Sequence, residues 1–156
     1  MTALATLPRA TVTLRLAELA DCEAVWRWSF APDVGARSRR GQAIAFVEHA
    51  RWFAARLADR REPIWIIEDN HRPVGVVRFE RAASGLARIS IALAASARGR
   101  GVGKIALAAA CLAWGEPVFA ELVADNLASR GCFEACGFQS VVACDGLLTY
   151  HWDPEP

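Results

Sequence analysis

The seven residues from Arg98 to Lys104, RGRGVGK, combine three glycines with three basic side chains. Glycines let the backbone turn tightly and bring its N–H groups close to a ligand. The run follows a predicted strand and opens a predicted helix, whose first N–H groups lack partners and whose dipole is positive at that end. This arrangement suits a phosphate or pyrophosphate, and Arg98, Arg100 and Lys104 can add charge-assisted contacts. The run therefore predicts a loop that binds a phosphorylated ligand.

Two other glycine patterns do not fit this loop. The GxxxxGK[ST] pattern needs a hydroxyl after its lysine to reach a magnesium ion, but Lys104 is followed by Ile105. The dinucleotide pattern GxGxxG also fails, because Gly99 and Gly101 are followed by a glycine at Gly103, one position too early. A turn between strand and helix with no ligand is the remaining alternative.

Hydrophobic periodicity predicts the elements that position the loop. Strands are predicted over residues 11–16, 64–67, 74–80, 87–93, 118–123, 138–144 and 147–152. Helices are predicted over residues 22–28, 42–58, 103–114 and 126–136, the second with a buried stripe at Phe46, Ala50, Phe53 and Leu57. This order predicts an α/β fold with a mixed, mostly antiparallel central sheet of about seven strands, flanked by helices on both faces.

Short signals set several element ends. Asp21 is placed as the N-cap of the first helix, and Pro32 as its stop. Gly115 and Gly137 are placed to end later helices in the left-handed conformation. Residues 69–73 predict a turn, and the Asp-Gly pair at 145–146 is a strong hairpin signal.

Length and composition restrict the function further. The 156 residues predict a single domain over 11–152, with short tails at 1–10 and 153–156. The net charge of +1 gives no reason to expect nucleic acid or a membrane as partner. The start of the chain does not resemble a signal peptide, so we expect a cytoplasmic protein, monomeric or homodimeric, with reduced cysteines. The five cysteines include no CxxC pair, and no metal site is predicted.

Two blocks of sequence resemble one enzyme family. Arg98-x-x-Gly101-x-Gly103 matches the [QR]-x-x-G-x-[GA] signature of the GCN5-related N-acetyltransferases, and residues 126–138 resemble their second block, N-x-x-[SA]…[YF]…GF. The resemblance implies acetyl-coenzyme A as cofactor, with the loop amides on its pyrophosphate and its pantetheine arm in a gap between two splayed parallel strands. The cofactor-binding residues implied are Ile91, Ala92, Leu93, Arg98, Gly99, Arg100, Gly101, Val102, Gly103, Lys104, Asn126, Ser129 and Phe133.

Acetyl transfer requires a neutral amine, a donor for the oxyanion and a route for the thiolate to leave. Glu121 and Asn126 are the predicted catalytic residues. Glu121 is the candidate base because ribosomal-protein N-terminal acetyltransferases, which this segment resembles, carry their base glutamate there; Glu80 is the alternative. Many relatives have a tyrosine as the acid where this chain has Phe133. Two alternatives follow: the thiolate leaves unaided, or the acid is a substitute among Cys132, Ser129 and Tyr150.

The acceptor is indicated by a second resemblance. Segments 14–34, 49–57 (HxxWFxxRL) and 65–79 (ending PVGxxRF) resemble N-acetyltransferases of nucleotide-activated amino sugars in the nonulosonic acid pathways. The substrate-binding residues predicted on this basis are Trp28, His49, Trp52 and Arg78, with Arg37, Arg39 and Arg40 near a diphosphate. Three alternatives remain open: a protein N-terminus, a small amine such as an antibiotic or polyamine, and a coenzyme-A-binding sensor without catalysis.

Overall fold

The computed structural model describes residues 11–30 and 44–155. Within those residues the strands are β1 (Val12–Leu16), β2 (Ile64–Asp69), β3 (Arg72–Arg81), β4 (Ala87–Leu93), β5 (Val118–Val123), β6 (Gln139–Cys144) and β7 (Leu147–Trp152). The α-helices are α1 (Cys22–Phe30), α2 (Phe46–Ala58), α3 (Val102–Trp114) and α4 (Leu127–Ala135). Short 3-10 turns at Leu19–Asp21 and Ala95–Ala97 precede α1 and the glycine loop. The predicted tail at 1–10, Pro32 and residues 42–43 of the second predicted helix lie outside the described residues.

The strands form one seven-stranded sheet in the order β1-β2-β3-β4-β5-β7-β6. Every neighbouring pair is antiparallel except β4 and β5, which are parallel. The predicted fold class is therefore confirmed. Pairing between β4 and β5 is limited to Ala87 with Val118 and Arg88 with Phe119, so the two strands are unpaired beyond Arg88. This split in the sheet is the gap between parallel strands that the family resemblance implies.

Two apolar cores lie on opposite faces of the sheet. Alternate strand residues such as Val77 and Phe79 pack against α3 and α4, and Phe79 stacks on Trp114 with ring centroids 4.5 Å apart. The intervening residues, such as Ile66 and Val76, pack under α1 and α2. Burying one such side chain stabilises the fold by about 1.5–3 kcal/mol. Helices therefore cover both faces, as the alternation predicts.

One of the two predicted hairpin turns is confirmed, and the other is shorter than predicted. The Asp-Gly turn is confirmed, because φ is 50° at Asp145 and 77° at Gly146, as in a tight hairpin. The turn predicted over residues 69–73 is shorter: only Asn70 and His71 have positive φ, of 50° and 66°. Pro73 joins β3 at a bulge opposite Glu68, a position where a strand tolerates proline.

Helix ends follow the predicted glycines but not the predicted N-cap. Gly115 and Gly137 have φ of 74° and 90°, so both stop signals are confirmed. Asp21 is not the N-cap of α1, because the preceding 3-10 turn runs directly into that helix. Its Oδ2 instead accepts the Glu18 N–H at 2.8 Å and forms an ion pair with Arg15. The Arg15 guanidinium lowers the pKa of Asp21.

The buried face of α2 is rotated from the predicted stripe. Phe53 is fully buried as predicted, but Phe46 is 42% exposed, and His49 is buried instead. Phe46 lies in the first turn of α2, where its ring meets Trp26 edge-on at 5.5 Å and His49 at 6.4 Å between centroids. The prediction for Phe46 was wrong because periodicity does not show where a helix end leaves the core.

Two absences concern only residues 11–30 and 44–155. No helix there combines the length and apolar character that a membrane span requires. In the same residues, no group of three or more His, Cys, Asp or Glu side chains is arranged to hold a metal ion.

Candidate active site

The glycine loop leads from the split sheet into α3. Gly99 and Gly101 have φ of 74° and 78°, a conformation that other residues adopt only with strain. A Cβ at either glycine would meet no atom of the described part of the chain within 4 Å, so those residues leave the space beside the loop open. The first helical bond is donated by the Ile105 N–H to the Gly101 carbonyl. The N–H groups of residues 102–104 precede it and are thus available to an anion at the helix start.

Gly103 has a different role, which is close packing. A Cβ there would lie 3.3 Å from the Leu93 side chain and 3.4 Å from the Sγ of Cys132. The first distance is tighter than most real Cβ contacts, so an alanine would require only a small shift of the Leu93 side chain, whereas a larger residue would push α3 away from β4 and α4. The family signature accepts only glycine or alanine at this position, and this packing accounts for that restriction.

An elongated cleft of about 470 Å³ runs along the loop between β4 and α4. It brings together all the predicted cofactor residues except Arg100 and Val102. Val102 is 1% exposed and packs in the core. Open space beside two left-handed glycines, unpaired helix N–H groups and the Lys104 side chain suit a pyrophosphate with an extended arm. The residues present therefore fit coenzyme A.

The two arginines of the loop contact protein groups. Arg98 donates from Nη2 to the Leu93 carbonyl at 3.1 Å, which ties the loop to the end of β4. Arg100 donates from Nη2 to Oδ2 of Asp69 at 2.9 Å. Asp69 is 6% exposed, and its Oδ1 has no hydrogen-bond partner among residues 11–30 and 44–155. Arg100 thus links the loop to β2, whereas the sequence predicts a contact with the pyrophosphate.

A second, smaller cavity of about 160 Å³ opens from the cleft at the split between β4 and β5. Its walls come from α1, β3, β4, β5 and α4, and it shares with the cleft Ile91, Ala92, Asn126, Ser129 and Phe133. The charged side chains that line it are Arg78, Arg88 and Glu121. An acetyl donor in the cleft and an acceptor in this cavity would meet at the shared residues.

Arg88, which the sequence analysis did not single out, is central to this cavity. Its Nη2 lies 2.7 Å from Oε2 of Glu80 and its Nη1 lies 3.4 Å from Oε1 of Glu121. Arg88 and Glu121 are mostly buried, with side-chain exposures of 16% and 18%. The alternation of β4 carries the missed signal, since Ile89 and Ile91 pack in the core and Arg88 must point to the opposite face.

The second sequence block forms the wall opposite the split strands. Asn126 is the N-cap of α4, and its Oδ1 accepts the Ser129 N–H at 3.2 Å. Its side-chain Nδ2 is therefore the donor that Asn126 can offer to a ligand. Phe133 is 1% exposed and meets Phe138 edge-on at 4.9 Å between centroids.

The proposed substitutes for the missing tyrosine lie in different places. Tyr150 is 1% exposed, and its hydroxyl donates to Oε1 of Glu134 at 2.7 Å, so it is a core residue outside both cavities. Ser129 lines both cavities and Cys132 lines the cleft. Burial raises the pKa of Cys132 to about 11, so its thiol stays protonated at neutral pH.

Of the four predicted substrate residues, only Arg78 lines the second cavity. Its guanidinium lies over the Trp52 ring, 4.8 Å from the centroid, so Trp52 supports it from behind. His49 is 2% exposed, its Nε2 lies 3.0 Å from the Cys22 carbonyl, and burial lowers its pKa. Trp28 packs against the core under α1 and α2. Arg37, Arg39 and Arg40 lie outside the described residues.

Comparison with known proteins agrees with this geometry. The family model described as an acetyltransferase (GNAT) domain matches residues 11–139. The fold is similar to that of a domain from Methanocaldococcus jannaschii, with 19% identity, a TM-score of 0.78, and 93% of this chain and 99% of that chain covered. No curated protein sequence matches significantly.

Two further similar structures contain the expected ligand. An aminoglycoside acetyltransferase solved with coenzyme A is 20% identical, with a TM-score of 0.73 and 90% and 93% of the two chains covered. YncA from Salmonella typhimurium, solved with its cofactor acetyl-CoA, is 18% identical, with a TM-score of 0.70 and coverage of 91% and 93%.

The matched domain covers most of the chain, and the chain therefore belongs to the GNAT acetyltransferase family. It is an acetyl-CoA-dependent N-acetyltransferase that acts on an amine.

Proposed function

We propose that the acceptor is a small-molecule primary amine that also carries an anionic group. Arg78 carries this proposal, because it places a guanidinium in the wall of the acceptor cavity, supported by Trp52 at 4.8 Å. Arginine presents a planar fork of N–H donors that matches a carboxylate or phosphate. The nucleotide-linked amino sugar predicted from the sequence, with its diphosphate, is one member of this class.

Glu121 is the proposed base on the same wall. An acceptor amine that arrives protonated must lose a proton before it attacks, and a positioned carboxylate can take that proton directly or through water. Acetyl-CoA supplies the acetyl thioester from the cleft. The Asn126 Nδ2 group, which lines both cavities, is the proposed donor to the developing oxyanion.

The pKa of the acceptor amine determines how strong a base the enzyme needs. A lysine side chain has a pKa of about 10.4, whereas an α-amino group has one of about 7.7–8.0 and is substantially neutral at physiological pH. An amino-sugar nitrogen, flanked by electron-withdrawing oxygens, resembles the latter. Glu121 contacts Arg88, and an acceptor amine of low pKa needs only a weak base such as a carboxylate to remove its proton.

Charge argues against polycationic acceptors. Arg78 and Arg88 both line the cavity, and a polyamine or a multiply protonated antibiotic would have to bind beside their guanidinium groups. A peptide N-terminus carries one ammonium and needs an open groove for the chain that follows. An amine with an anionic group can instead place its amine near Glu121 and its anion near Arg78.

The experiment is thiol release from acetyl-CoA with four acceptors in parallel: a UDP-linked 4-amino-4,6-dideoxy sugar, an amino acid with a second acidic group, a ribosomal-protein N-terminal peptide, and spermidine. We expect the first two to give the highest kcat/KM. Arg78→Met should remove that preference, while Arg72→Met, an exposed arginine of the same strand, should keep it. Preference for the peptide or spermidine would overturn the proposal. If none of the four acceptors gives thiol release although acetyl-CoA binds, the result would favour a non-catalytic sensor.

A further inference from the structure

We propose that Arg88 is a positioning residue for acetyl transfer, which holds the carboxylates of Glu80 and Glu121 together at the base of the split between β4 and β5. The inference rests on the proposed function in that Glu121 receives the acceptor's proton. It concerns how side chains of β3, β4 and β5 position that carboxylate.

The register of the sheet explains the geometry. Glu80 lies directly opposite Arg88 in the antiparallel pairing of β3 and β4, and the Nη2–Oε2 distance is 2.7 Å. On the other side, Arg88 pairs with Phe119 of β5, the last backbone pair between these strands. Glu121 is two residues further along β5, on the same face as Phe119. Arg88 therefore reaches across the start of the split.

This contact replaces backbone pairing that the split removes. Beyond Arg88, no register pair joins β4 to β5, and the Glu121 backbone pairs instead with Thr149 of β7. The Nη1–Oε1 contact of 3.4 Å between largely buried groups joins the strands there. Loss of this contact would remove one restraint on the rotamer of the Glu121 carboxylate while the cofactor cleft stayed intact.

The charges around Arg88 balance. Arg88 and Arg78 carry two positive charges and Glu80 and Glu121 carry two negative charges, so the wall of the cavity holds both signs. An acceptor with an ammonium and an anionic group can meet a group of opposite sign at each end. Arg88 contacts Glu80 of β3 and Glu121 of β5, and it shares the lining of the cavity with Arg78 of β3 and with Ser29 and Phe30 of α1. His151 of β7 is the nearest titratable group beyond these in the sheet register, opposite Phe119.

The test compares Arg88→Met, Arg88→Lys and Arg88→Met/Glu80→Gln by their kcat/KM for the acceptor as a function of pH. In Arg88→Met the two carboxylates repel, so we expect the acidic limb to move up by about one pH unit and kcat to fall at least about tenfold. The KM for acetyl-CoA should change less than about twofold, because the cleft is untouched. Arg88→Lys should recover part of the rate, and Glu80→Gln should return the limb toward its original position by removing one charge.

Arg81→Met is the matched control, because Arg81 lies on β3 in an exposed pair with Glu116. It should leave both the rate and the pH limb unchanged. A 13C-detected titration of the Glu121 carboxyl, assigned with Glu121→Gln, measures the same shift without any acceptor. The proposal is overturned if Arg88→Met lowers only the melting temperature and leaves the titration of Glu121 in place. If the wild type acetylates no anionic amine, the proposed function fails, and the titration still decides the role of Arg88.

Discussion

The cofactor cleft and the acceptor cavity adjoin each other but are built in different ways. The cleft depends largely on backbone: two left-handed glycines, the start of α3 and the end of β4 that is not paired with β5, all within residues 91–104. The cavity depends on side chains from α1, β3, β4 and β5, whose charges meet only after folding. A binding surface made of backbone requires particular residue types at fixed spacing, whereas one made of side chains can vary residue by residue.

The first prediction tests the backbone-built half and has the largest expected effect. Gly101→Trp should abolish the stabilisation by acetyl-CoA, about 2.7 kcal/mol at 100 times the dissociation constant, because the side chain would project into the open space beside the loop. Thermal unfolding with and without acetyl-CoA measures this. Gly85→Trp is the control, since Gly85 also has positive φ and no atom within 4 Å of a Cβ, and does not line either cavity. A full ligand-induced shift in Gly101→Trp would contradict the placement of the cofactor.

The second prediction tests the side-chain-built half. Glu121→Gln should lower kcat by about 100-fold or more, because the carboxylate that takes the proton is lost. The KM for acetyl-CoA should stay within about twofold, since Glu121 does not line the cleft. Steady-state kinetics with the preferred acceptor measures both constants. Glu116→Gln, in an exposed ion pair, is the control, and a larger loss in Glu80→Gln would transfer the role of base to Glu80.

The third prediction concerns the link between the loop and β2. Asp69→Asn should raise the KM for acetyl-CoA about fivefold and leave kcat unchanged, because Arg100 would lose the ion pair of 2.9 Å that holds the loop. We expect no larger increase in the KM, because the Arg100 side chain is 53% exposed and solvent screens the ion pair. The control is Asp59→Asn, which breaks the exposed pair with Arg61. A change in melting temperature with an unchanged KM would mean that Asp69 serves stability alone.

The fourth prediction has the smallest effect and concerns the leaving thiolate. Cys132→Ser should keep kcat within about threefold, because the Cys132 thiol, with a pKa of about 11, is a weaker acid than the coenzyme A thiol, taken as near the ~8.5 of cysteine. Kinetics at saturating acetyl-CoA and a circular dichroism spectrum check the rate and the fold together. A loss of 100-fold or more in a folded variant would make Cys132 the acid.

The sequence predicts most of the fold because local signals agree with it. The Asp-Gly hairpin and the glycine helix stops need particular φ angles, and these signals are confirmed at Asp145, Gly115 and Gly137. Pro73 lies in β3 and not in the predicted turn, because a bulge in the pairing of β2 and β3 accommodates it. Asp21 is not an N-cap, and its carboxylate forms an ion pair with Arg15 instead. The buried face of α2 was misjudged at Phe46 for a different reason, because periodicity does not show where a helix end leaves the core.

The cofactor cleft and the acceptor cavity differ in how far the sequence predicts them. The loop glycines and Asn126 belong to short motifs, so their places in the cleft follow from spacing in the chain. Arg88 and Glu121 are 33 residues apart and meet only through the register of β4 and β5. Nothing local in the sequence marks such a pair, and nothing local shows that His49, which is predicted to bind the substrate, is only 2% exposed.

The most direct test of the account is a paired comparison of one acceptor with and without its anionic group, such as an acidic amine and its neutral amide, by initial rates of thiol release from acetyl-CoA. We predict that the wild type prefers the anionic form by about tenfold or more, the scale of one charge-assisted contact, and that Arg78→Met removes this preference without changing the KM for acetyl-CoA. Equal rates for the two forms in the wild type, or a preference that survives in Arg78→Met, would contradict the assignment of the acceptor cavity.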